Sequence, residues 1–180
     1  MRYFVGITPE PEVQAKIDAL RRSFPGKLVQ HVEPHITILP PAEYVQVSTL
    51  EEGLLTALSS VNSLTIQLGA PAYFGKRVLF FSVLHEGTVL PFLRDSVWEE
   101  VNRTRIADSL PAIEDSRAFH PHLTLAMSSF GTPFTIMQQM EAEAKVMVAS
   151  FPPFLVQSVK VYVRDQKGWR TWKSLNLNQG

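Results

Sequence analysis

The chain has 180 residues, with 17 Lys and Arg against 17 Asp and Glu, so its formal charge is zero. Its 45% apolar content excludes wholesale disorder, and its length suits one large domain or two small lobes. The absence of cysteine excludes disulfides, Cys-type zinc sites, Fe–S clusters and a thiol nucleophile. Net neutrality speaks against salt-driven binding along long nucleic acids such as duplex DNA, while leaving room for a site for one phosphate. Apolar runs such as Val78–Leu84 fall far short of the ~18–20 residues of a membrane span. The opening MRYFVGITPEPE is too polar for a signal peptide. A soluble, cytoplasmic protein without membrane contact is expected.

Arg2–Ile7 reads as a strand. Pro9-Glu10-Pro11 then opens a helix to about Phe24, with Val13, Ile17, Leu20 and Phe24 on one face. Pro25-Gly26 stops it. His35–Leu39 is strand-like, and Pro40-Pro41 is expected to end it. Ser48-Thr49-Leu50-Glu51 matches a capping box, so a second helix is predicted from Ser48 through Leu50, Leu54, Leu58 and Val61. Leu64–Ala70 and Arg77–Leu84 read as two strands joined by residues 71–76.

The same order then returns. Thr88–Ile106 is a predicted helix with Leu90, Leu93, Val97 and Val101 on one side. His122–Ala126 is a strand, and Phe134–Ala149 a helix with Ile136, Met140, Ala144 and Met147 or Val148 in helical period. Leu155–Arg164 and Trp169–Leu177 close the chain as two strands. With no Ser/Gly linker, residues 1–180 form one α+β domain of two topologically similar halves, roughly 1–87 and 88–180. Each lobe is expected to carry an antiparallel-rich sheet with helices packed on one face.

The chemistry lies in a repeated string. Pro34-His35-Ile36-Thr37-Ile38 and Pro121-His122-Leu123-Thr124-Leu125 share the pattern P-H-aliphatic-T-aliphatic, 87 positions apart. On a strand, residues i and i+2 share a face. His35 and Thr37 therefore point one way and Ile36 and Ile38 the other, and His122 and Thr124 repeat this against Leu123 and Leu125. Related by a pseudo-twofold axis, two imidazoles and two hydroxyls converge on one cleft. Imidazole titrates near neutrality, so such a pair can serve as general base and general acid at a phosphoester. The Thr37 and Thr124 hydroxyls can donate to the phosphoryl oxygens. Neither metal nor other cofactor is required.

These features resemble the 2H phosphoesterase superfamily, specifically its 2′-5′ RNA ligase and 2′,3′-cyclic phosphodiesterase group. The resemblance spans nearly the whole chain: the opening RYFVGITP, the strings PHITI and PHLTL, the aromatic-Gly loop before VLFFSV, and the closing VKVYVRDQKGWRTWKSLNL. It implies a bilobal α+β fold with two antiparallel-rich sheets, helices outside and a central cleft. It further implies metal-independent action on nucleotide or RNA-terminal 2′,3′-cyclic phosphates or 2′-5′ linkages, reversible in the ligase direction. By position His35 and His122 inherit the catalytic roles, and Thr37 and Thr124 the phosphate-binding ones. One position departs: where relatives often carry Arg or an aromatic residue three places after the second Thr, this chain has Met127.

Other readings compete. A nucleotide-binding module without turnover could use the same cleft, and a metal-dependent hydrolase could be built on His120 and His122, though no third ligand has an obvious spacing. Tyr73 and Phe119 are candidate substrate-binding residues that could stack a nucleobase, with core packing as the alternative; Phe74 is a weaker one. Val156–Lys173 holds five basic residues against Asp165, either a cationic wall for a phosphate or, as favoured here, a solvated hairpin edge. The roles of acid and base, the physiological substrate and the oligomeric state stay open.

Overall fold

The two histidine strings lie on neighbouring central strands. In the computed structural model, which describes residues 1–102, Thr104, Ile106 and 119–178, these are β2 (Ile36–Glu43) and β5 (His122–Met127). Around them stand β1 (Arg2–Ile7), β3 (Leu64–Phe74), β4 (Val78–His85), β6 (Phe154–Val156), β7 (Ser158–Asp165) and β8 (Gly168–Asn176). All eight join in one antiparallel sheet of order β6-β3-β4-β5-β2-β1-β7-β8. The two expected lobes are its two four-stranded halves, linked where β2 meets β5. The order reads alike from either end on exchanging β2 with β5, β1 with β4, β7 with β3 and β8 with β6. Each half of the sheet therefore draws strands from both 1–87 and 88–180.

Only Gln157 separates β6, at one edge, from β7 beside the opposite edge. The sheet must curl until its ends approach, and a bridge between Asn62 and Asn178 marks the same closure. The expected single strand Leu155–Arg164 is thus two, because the chain changes partners from β3 to β1 at Gln157.

The helices are α1 (Pro11–Ser23), α2 (Leu28–His31), α3 (Val47–Ser59), α4 (Val89–Asn102) and α5 (Phe134–Val148). Helix α1 starts at a proline suited to N1, and buries Val13, Ile17 and Leu20 as its spacing predicts. In α4, Leu90, Leu93, Val97 and Val101 are fully buried, each adding about 1.5–3 kcal/mol relative to exposure. The expected extension of α4 to Ile106 falls partly outside the described residues. Helix α5 turns Met137, Met140 and Ala144 inward, leaving Ile136 half-buried. Helix α3 starts at Val47 with Gln46 as its N-cap and no side-chain cap bond. Ser48 therefore lies inside the first turn, and the expected capping box does not form.

Prolines end neither β2 nor β3. Val5 pairs with Leu39 and Tyr3 with Ala42, so an irregularity in β2 accommodates Pro40-Pro41. In β3, Leu68 pairs with Val83 and Pro71 with Phe81, where a second irregularity absorbs the extra residue. Bulges are where a strand tolerates proline's missing donor. Among the described residues no helix is long and apolar enough to cross a membrane.

Candidate active site

Ile36 pairs with Leu123 across the β2–β5 seam, and both side chains are fully buried. Continuing this antiparallel register by one residue each way sets His35 across from Thr124 and Thr37 across from His122. These four side chains share the face opposite the core. All four line one cleft of about 370 Å³. The predicted convergence of two histidines and two threonines is the arrangement found.

Each histidine is oriented in the same way. The Nδ1 of His35 lies 2.8 Å from the Glu33 carbonyl, and the Nδ1 of His122 lies 2.9 Å from the His120 carbonyl. A carbonyl only accepts, so in both rings Nδ1 donates and Nε2 is left as the nitrogen available for chemistry. Aromatic rings bracket the imidazoles: Phe4 at 4.7 Å and Tyr162 at 5.7 Å from His35, Phe74 at 4.9 Å and Phe80 at 5.1 Å from His122.

Burial in this setting pushes the His35 imidazole down to about 4, opposed by its bond to the Glu33 carbonyl and assisted by the Arg21 and His122 charges. His122 is also lowered, first by burial and then by the neighbouring His120, against its carbonyl bond. Both shifts favour the neutral imidazole.

Glu33 anchors the His35 side. Its carboxylate accepts from Lys160 Nζ at 2.9 Å and Tyr162 Oη at 2.7 Å. Burial works to raise this carboxyl, but those bonds and the Lys160 charge together hold it below its ordinary value. The Tyr162 ring stacks on Phe4 at 4.3 Å and 8°. At the equivalent place before His122 stands His120, an exposed imidazole whose ring edge meets Phe74 and Phe80. Among the described residues no three His, Asp or Glu side chains group in a way that could hold a metal ion, so His120 and His122 gain no third ligand there.

Other expected binders lie elsewhere. Tyr73 is half-buried beside α5, its hydroxyl donating to Glu141 at 2.8 Å and lying 3.3 Å from the Met137 carbonyl. Phe119 packs against the core with the Arg94 guanidinium 5.9 Å from its ring. Neither lines the cleft. Met127 does, and cations reach the cleft from other places: Arg2, Arg21 and Arg164. Of the five hairpin cations, Lys160, Arg170 and Lys173 are paired with Glu33, Asp165 and Glu51. Arg164 instead lies 5.7 Å from the Trp169 ring, which also lines the cleft. The favoured reading of a solvated edge thus suits most of the hairpin, but not Arg164.

Sequence reasoning missed Arg21, although a signal existed. It lies four residues after Ile17 and so falls on the apolar face of α1, where a charge is out of place. Glu33, Phe4 and Trp169 carried no comparable signal.

Known proteins resemble this chain along nearly its whole length. The model of the 2′-5′ RNA ligase superfamily matches residues 9–168. By sequence, no curated protein matches the chain. Among solved structures it is similar to Escherichia coli LigT in apo form, at 17% identity and a TM-score of 0.62 over 99% of this chain and 98% of that one. E. coli LigT complexed with 3′-AMP gives 18% and 0.64 over the same shares. The protein TT0787 of Thermus thermophilus gives 20% and 0.61 over 99% of each chain. With its paired histidine strings on adjacent strands and the family's pattern running along nearly its whole length, the chain belongs to the 2′-5′ RNA ligase superfamily, among the 2H phosphoesterases.

Proposed function

We propose that this protein is a metal-independent phosphodiesterase that opens nucleotide or RNA-terminal 2′,3′-cyclic phosphates to 2′-phosphates, or cleaves 2′-5′ linkages, with ligation as the reverse. The observation that carries this reading is the matched Nδ1-to-carbonyl bond of His35 and His122, which frees two Nε2 atoms in one cleft beside two threonine hydroxyls.

The pair divides the roles of base and acid, one imidazole neutral and the other protonated. An anionic phosphate in the cleft favours the protonated form of either ring, against the burial that lowers both. In hydrolysis, the Nε2 of the neutral imidazole takes a proton from water as the water oxygen bonds to phosphorus. The bond from phosphorus to the 3′-oxygen breaks, and that oxygen takes the proton from the Nε2 of the protonated imidazole. The products are a 2′-phosphate with a free 3′-hydroxyl, and the two imidazoles with their protonation states exchanged. Thr37 and Thr124 donate to the non-bridging oxygens as their charge grows.

E. coli LigT, similar in fold, is known in complexes with 3′-AMP and with phosphate; the corresponding proposal here is a nucleotide phosphate between the two histidines. The test is turnover of a 2′,3′-cyclic nucleotide in EDTA, with product regiochemistry read by phosphorus NMR. Wild-type protein is expected to be active, and His35→Ala and His122→Ala each to lose ~10²-fold or more. Unaltered activity in both variants removes the mechanism. Tight calorimetric binding of the nucleotide without product would identify a non-catalytic receptor instead.

A further inference from the structure

Arg21 is one of the two buried polar side chains among the described residues, 4% exposed. A guanidinium is costly to bury, and its partners decide whether anything offsets that cost. Its carboxylate neighbour, Asp18, is 3.5 Å away, a long contact, and burial raises the Asp18 carboxyl above its ordinary value. Nε has no partner. Charge pairing therefore does not account for this burial.

The guanidinium instead binds main chain. One terminal nitrogen donates to the carbonyl of Thr124, and the other reaches the carbonyl of Val32 at 3.3 Å. Thr124 belongs to the second histidine string, and Val32 lies three residues before the histidine of the first. These two segments are otherwise joined in the sheet through the Ile36–Leu123 pair. Resting on the function proposed above, we propose that Arg21 is a positioning residue. Its fork clamps the strand of Thr124 to the segment leading into His35, and so fixes the spacing of the two His–Thr pairs on the bound phosphate.

A planar fork holds these two carbonyls, one on β5 and one in the loop between α2 and β2, in one fixed geometry, whereas the donors of an ammonium rotate on a flexible stem. The clamp also carries a fixed charge. The charged and titratable groups around His35 are Glu33 with Lys160 and Tyr162 on it, Arg21 from α1, and His122 from β5. Arg21 and His122 oppose an imidazolium there, whereas Glu33 favours it. Removing the arginine charge makes His35 easier to protonate.

The experiment compares Arg21→Met, Arg21→Lys and a His35→Ala control. Each is assayed on 2′,3′-cyclic AMP, melted by circular dichroism, and titrated by NMR of the histidine ring protons. The Met variant is expected to fold, lose ~10-fold or more in kcat through misplacement of the pairs, and show a raised His35 pKa. The Lys variant is expected to restore the His35 titration without restoring kcat. The idea is overturned by a folded Met variant with kcat within about twofold of wild type. An activity loss that merely tracks the unfolded fraction, with His35 titrating as in wild type, overturns it too. Should the Met variant not fold, full kcat in the Lys variant is the overturning result. An active His35→Ala would instead defeat the proposed function, while the NMR titration still reads the clamp.

Discussion

Ile36 and Leu123 face each other across the middle of the sheet, each with no exposed surface. This pair fixes which way the neighbouring positions point, because a slip of one residue would turn His122 and Thr124 into the core and Leu123 out of it. Leu123→Ala is therefore expected to destabilise the fold by about 2–5 kcal/mol, measured by urea unfolding. Its kcat on a 2′,3′-cyclic nucleotide should fall as well, since both neighbours of Leu123 belong to the site.

Stability should depend on pH through His35. In the unfolded chain this imidazole takes up a proton near its ordinary value of about 6.5, whereas the folded chain resists until about 4. Between those values the unfolded state binds more protons. The stabilisation is thus complete above the unfolded value and is lost as pH falls toward the folded one. His122 contributes in the same direction. Urea midpoints taken from about pH 7 down to about pH 4.5 should decline, and His35→Asn should flatten that decline.

Gly6 stands across from Thr37 on β1. A Cβ there would lie 3.2 Å from the Ile36 carbonyl oxygen and 3.3 Å from His35 Cδ2, so the ring must give by a few tenths of an ångström. Gly6→Ala is expected to melt near the wild-type temperature yet lose ~10-fold in kcat, since small misplacements of a catalytic group are costly. Steady-state kinetics beside a thermal melt would separate the two effects.

Arg164 lines the same cleft as the histidine pairs and is exposed. Its charge can attract a second anionic or aromatic part of a nucleotide without taking part in bond breaking. Arg164→Ala should raise KM severalfold with kcat nearly unchanged, the pattern of lost uniform binding. A fall in kcat with constant KM would contradict that placement.

The amino-acid sequence by itself determined the faces of the elements. Alternation put His35, Thr37, His122 and Thr124 opposite Ile36 and Leu123, and the period of α4 picked out four residues that are all buried. Such patterns are legible because each residue's side of a strand or helix follows from local geometry alone. What that side meets does not. Only the tertiary structure decided that Tyr73 is taken up by Glu141, that bulges carry strands through Pro40-Pro41 and Pro71, and that Gln157 is a change of partners. It also decided that Arg21, 103 positions before Thr124, binds that residue's carbonyl. Contacts of that separation arise from how the sheet curls and pairs, which no short stretch of the chain encodes.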